Sequence, residues 1–84
     1  MIRFTKHAKE KFAILRKHKV FIPKWLVLET VTNPDLIDQS RTPIKIAQKS
    51  LDSWRVLRVV YKERKNIKII ITFYPGKKIQ YEKQ

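Results

Sequence analysis

Apolar and polar positions alternate most clearly in residues 54–75, where WRVLRVVYKE is followed by RKN and IKIIITFYP. Val, Ile, Tyr, Phe and Trp dominate both runs, and such side chains suit a pleated, half-buried surface. The short polar break at residues 63–66 predicts an antiparallel hairpin. Period two places Leu57, Val59 and Tyr61 on one face and Trp54, Val56, Arg58 and Val60 on the other. In the second run it groups Ile69, Ile71 and Phe73 against Ile70, Thr72 and Tyr74. Both faces are largely apolar, which predicts central strands. Arg58 interrupts one of them, and a charge there requires a sheet end, a groove or a partner.

The rest of the chain reads as elements that cover this hairpin. Ile2, Arg3 and Phe4 form a short first strand. Thr5 is the N-cap of a helix that runs to about His18, with Ala8, Phe12 and Leu15 as its buried stripe. His7, Lys11, Ile14 and His18 lie on one flank of that stripe, and Lys9 and Arg16 on the other. Pro23 opens a second helix, where its missing N–H costs nothing. Trp25, Leu28 and Val31 or Val27 pack it, and Asn33 before Pro34 ends it. Residues 35–40 and 44–51 are two further strands. Residues 76–84, polar and basic, read as a short last strand or a frayed tail. The order β-α-α-β-β-β-β predicts one α+β domain over residues 1–84. Two N-terminal helices cover one face of a four- to five-stranded, mainly antiparallel sheet. The other face is then free to carry basic residues from Arg41, Lys45, Lys49, Arg55 and Arg58.

Charge changes the picture most. Twenty Lys and Arg face seven Asp and Glu, a net charge of +13. Such a domain attracts polyanions, first of all nucleic acid, then an acidic protein. A lysine-rich solvated surface with no specific ligand is the plain alternative. There is no cysteine, so thiolate metal sites and Cys nucleophiles are excluded. The two histidines, eleven residues apart, have no carboxylate cluster to complete a ligand set, and no metal or other cofactor is expected. The longest apolar runs are too short to span a bilayer, and the first twelve residues lack an apolar signal core. A soluble cytoplasmic protein with no membrane partner is the expectation.

The residues left for chemistry are basic and aromatic: His7, Lys11, Arg16, Arg41, Lys49, Arg58, Tyr61 and Tyr74. Cleaving RNA by attack of its 2′-hydroxyl needs a base, an acid and a cation for the phosphorane. His7 can move protons near neutral pH, Arg58 can hold the charge, and Tyr74 can assist as an acid. Lys11, Arg16, Arg41 and Lys49 are candidates for phosphate contacts. Each has a structural alternative. His7 can serve as a helix-start histidine bonded to backbone, Arg58 as half of an ion pair, and Tyr74 as the edge of the core.

The order of these residues resembles a known group. Phe4-Thr5-Lys6-His7-Ala8, the basic helix with Lys11 and Arg16, Asn33-Pro34-Asp35, residues 56–61 (VLRVVY) and residues 71–75 (ITFYP) resemble a small domain family grouped with the RelE/ParE-like toxins of the barnase–EndoU–colicin–RelE fold. The resemblance spans roughly residues 2–78. It implies a toxin-like, RNA-acting domain, a metal-independent endoribonuclease associated with ribosomes and held by an acidic antitoxin. It carries the helix-start histidine to His7, the strand arginine to Arg58, and the basic helix positions to Lys11 and Arg16. The chain departs from the pattern at Lys11, where arginine is frequent, and at residues 19–22, where a glycine is frequent. Members of the wider group have also become gyrase poisons or inactive forms, so two further readings stand beside the enzyme. One is a non-catalytic nucleic-acid-binding module. The other is a protein-interaction domain for an acidic partner.

Overall fold

In the computed structural model, which describes residues 1–81, the chain forms an α+β domain with the elements in the expected order. They are β1 (Ile2–Phe4), α1 (Lys6–Lys17), α2 (Lys24–Thr32), β2 (Leu36–Arg41), β3 (Ile44–Ser50), β4 (Arg55–Arg64), β5 (Ile67–Lys77) and α3 (Lys78–Tyr81). The five strands make one sheet in the order β1-β5-β4-β3-β2. Neighbours are antiparallel except β1, which runs parallel to β5 at the far edge.

Local chemistry explains the helix ends. Thr5 caps α1 by accepting from the Ala8 N–H, and its own hydroxyl donates to the Ile71 carbonyl. At the other end Lys19 N–H donates to the Arg16 carbonyl and Val20 N–H to that of Leu15. This is a Schellman closure with Lys19 in the left-handed region at φ 62°. Val20 and Leu15 both pack against the core, the apolar contact that accompanies such closures. The β4–β5 turn is tighter than the polar run implied. Arg64 pairs with Ile67, which leaves Lys65 and Asn66 as a two-residue loop, both with positive φ. That pattern is a type I′ turn, which matches the twist of its strands.

Directly opposed residues share a sheet face, so the register assigns the faces. Ala47, Leu57, Val59, Tyr61, Ile70 and Phe73 meet Ala8 of α1 and Val27 and Val31 of α2 in one buried cluster. Thr30 is buried with them because its hydroxyl donates to the Leu26 carbonyl. Two expectations change here. Strict alternation separates Ile70 from Phe73, yet both lie in this core. Val60 pairs with Thr72 and Tyr61 with Ile70, so Ile71 is an extra residue that shifts the phase of β5. The Thr5 hydroxyl accounts for the carbonyl of that bulged residue. Trp25, expected to pack α2, is 66% exposed, because the helix buries positions 27, 30 and 31 and residue 25 points away from them.

The second face is not an open basic groove. It carries Ile46, Gln48, Val56 and Arg58, all buried, with Val60, Thr72 and Tyr74. Lys45 and Lys49, opposite Tyr61 and Leu57, belong to the helix side, and so by alternation does Arg55. Residues 76–81 neither extend as a separate strand nor fray. β5 continues to Lys77, and α3 folds back so that Tyr81 lies against Gly76, where a Cβ would collide with the ring. The remainder of the expected tail, residues 82–84, lies outside the described residues.

Candidate functional site

Arg58 and Tyr74 come together, as opposed residues on β4 and β5. The Arg58 guanidinium is 6% exposed as a residue and nearly every side of it has a partner. Nε donates to the Tyr74 hydroxyl at 3.2 Å, Nη1 donates to Gln48 Oε1, and Nη2 stands 3.4 Å from Asp38 Oδ2. The Tyr81 ring closes the remaining side, 4.1 Å from the Arg58 Cζ. Gln48 is fully buried, and its Nε2 has no hydrogen-bond partner among the described residues. Asp38 is held below the usual carboxylate range, first by the Ser40 hydroxyl, then by the Ser40 N–H and less by Arg58. The charge in the apolar run is therefore balanced within the protein, by one half-exposed carboxylate and one ring face.

The other expected site residues lie elsewhere. His7 is exposed in the first turn of α1, and α1 packs on the opposite side of the sheet from the Arg58 guanidinium. The sheet separates them, so the two cannot serve one phosphate. Lys11 is half-buried on the same helix. Lys49 Nζ donates to the Asn33 carbonyl at 2.8 Å and lies 3.7 Å from Asp35, which ties α2 to β3. Arg41 is exposed, opposite Ile44 beyond a register shift near the β2–β3 turn. Tyr61 is in the core, and burial pushes its phenol pKa up.

Arg16 belongs to a different grouping. Its guanidinium stacks 5.6 Å from the centroid of Phe21, which is 67% exposed in the α1–α2 connection. Lys24, at the start of α2, places its Nζ 5.4 Å from the Phe4 ring centroid. Lys9, Phe12 and Arg16 recur at helical spacing along this flank of α1. Phe4, Lys9, Phe12 and Lys24 line a cleft of about 210 Å³. Its floor is stiff, because Phe4, Phe12 and Phe73 form a ladder with centroids 6.0 and 4.6 Å apart that continues into the core. The helical pattern places Phe12 in the buried stripe and Lys9, with Arg16, on one flank of it, and does not single out Lys24. The readable signal was the alternation of cations and rings at residues 9, 12, 16, 21 and 24. Gln48 and Asp38 were also missed, although Gln48 is the one amide within the apolar-patterned run of β3.

Electrostatics separates these two regions. Among the described residues the ion pairs are Lys45–Glu63, Lys49–Asp35, Arg55–Asp52 and Arg58–Asp38, all with cations on the sheet. α1 carries five Lys and Arg against Glu10 alone, and none of them has a carboxylate within ion-pair distance among the described residues. No cluster of three or more potential ligands for a metal ion occurs among the described residues, and no helix is long and apolar enough to cross a membrane. No protein family, curated protein or solved structure matches the chain.

Proposed function

We propose that this is an RNA-acting domain that grips single-stranded RNA along the Lys9–Arg16 flank of α1 and the connection to α2. The observation that carries the reading is the uneven pairing of charge. The carboxylates in ion pairs are paired with cations of the sheet, while Arg16 and Lys24 face exposed or half-exposed rings. Cations beside aromatic faces, without a carboxylate partner among the described residues, suit a strand whose phosphates and unstacked bases are both accessible. Fluorescence anisotropy with a labelled 12-nucleotide RNA tests it. Affinity should fall with salt, with a log–log slope of about −0.7 for each phosphate neutralised. Arg16→Gln should weaken binding and reduce that slope by about one phosphate's share. Binding that ignores salt, or a variant indistinguishable from the wild type, removes the reading.

A second reading, metal-independent cleavage of RNA by a toxin-like enzyme, draws on the Arg58–Tyr74 pair. A guanidinium beside a phenol is a suitable combination for stabilising a phosphorane and protonating a leaving oxygen. Tyr81 roofs that pair, so substrate has to displace α3, and His7 has no part in the site. Incubation with total RNA and ribosomes in EDTA decides it. Cleavage abolished by Tyr74→Phe supports the enzyme, and no cleavage above that control removes it.

A further inference from the structure

We infer that the cleft between β1 and α1 is a pocket for one nucleotide of the bound strand. Its base packs in the angle between the tilted Phe4 and Phe12 rings, and its phosphate is held by the Lys9 and Lys24 ammonium groups. The inference rests on the RNA-binding reading and adds to it a site and a ligand chemistry. Size is the first constraint. Pockets for drug-sized ligands usually run to about 300–1,000 Å³. The volume here, about 210 Å³, suits a smaller, flat group. Composition is the second. The floor is two phenyl rings fixed to the core through Phe73, and the rim is two lysines without an ion-pair partner among the described residues.

Simpler ligands satisfy half of this site. An uncharged apolar molecule leaves the two lysines of the lining without an anion. A bare phosphate neutralises them but leaves the aromatic floor wet. A nucleotide joins a flat π surface to a phosphate and meets both demands. Lys24 Nζ stands 5.4 Å from the Phe4 ring centroid, so its charge is within reach of a phosphate whose base packs in the cleft and displaces the ammonium from the ring face. Lysine acts as a point charge rather than a planar fork, and neither phenyl ring has a polar atom. The pocket therefore holds a base by stacking and shows little preference among bases. It also rejects duplex, in which base faces are already stacked.

The test is a titration of the isotope-labelled protein followed by amide resonances, with AMP, UMP, adenosine and inorganic phosphate as probes. AMP and UMP should shift the amides of Phe4, Lys9, Phe12 and Lys24 saturably and with similar affinity. Adenosine and phosphate should each bind at least about tenfold more weakly. The double variant Lys9→Gln, Lys24→Gln should lose the phosphate contribution. Phe4→Leu, checked for folding by circular dichroism, should lose roughly tenfold through stacking. Inorganic phosphate matching AMP, or shifts that avoid the cleft, overturns the inference. If the 12-nucleotide RNA still binds while the cleft amides stay unshifted, the pocket alone is wrong. If the RNA does not bind at all, the pocket and the RNA-binding reading fall together.

Discussion

Substituting Arg58 and Gln48 singly and together measures whether the buried guanidinium serves the fold. Arg58→Met keeps most of the volume but removes the hydrogen bonds to Gln48, Tyr74 and Asp38. Asp38 is 35% exposed at its side chain, so it rehydrates, and the penalty of a stranded buried charge does not arise on that side. Gln48 has no such escape. It is fully buried with Nε2 already unpartnered among the described residues, and the substitution orphans Oε1 as well. An unsatisfied buried polar group costs about 1–3 kcal/mol, so Arg58→Met should cost about 2 kcal/mol. Gln48→Leu alone leaves a guanidinium N–H without its acceptor in a buried site and should cost about 2–3 kcal/mol. The double variant removes both orphans at once and should lie within about 1 kcal/mol of the wild type. The coupling is then about 3–5 kcal/mol in favour of the pair. A domain of this length has a stability of about 4–13 kcal/mol, so the single variants stay folded and measurable. Urea unfolding followed by tryptophan fluorescence gives the four values. Additivity within about 0.5 kcal/mol would refute the argument, because the Gln48–Arg58 bond would then carry no stability.

Lys19→Gly should raise stability by about 0.5–1 kcal/mol in the same assay, because Lys19 occupies the left-handed position of the α1 closure. A loss of stability would mean that the flexibility added to the unfolded chain exceeds the strain relieved. Acid should weaken the domain through Asp38. Its folded pKa is depressed, so its contribution is present above the unfolded value of about 3.9 and is lost as pH falls through the folded one. Ser40→Ala removes the hydroxyl that depresses it most. Stability curves for wild type and variant should therefore converge as pH falls through that range, and curves that stay parallel would contradict the assignment.

Local signals were legible because local chemistry decides them. Thr5, Pro23 and Asn33-Pro34 mark helix ends by caps and backbone restrictions that act within a few residues. The α+β order followed from them. The misjudged positions depend on distant partners. The extra residue at Ile71 reverses the face of everything before it in β5, and the Thr5 hydroxyl that accommodates it is 66 residues away. Lys49 reads as a surface cation until the end of α2 is brought within 2.8 Å of it. The partners of Arg58 come from β2, β3, β5 and α3, and their convergence is a property of strand order rather than of spacing. The candidate cleft was hidden for the same reason. Its rings and lysines are individually unremarkable, and β1, α1 and the start of α2 have to meet before they form a site.

The parallel edge strand also sets a timetable for synthesis. Ile2, Arg3 and Phe4 pair with residues 68–70, so the first strand made is completed by the last. At a translation rate of about 5–20 residues per second, that strand waits roughly 3–13 s for its neighbour. During the wait α1 can form, but Phe12 lacks the Phe73 ring beneath it, and Thr5 lacks the carbonyl of Ile71. A nascent chain stopped before β5 therefore carries +10 of the +13 net charge, without the Phe73 ring that supports the floor of its cleft. Until residues 67–77 are made, the sheet lacks the strand that joins β1 to β4.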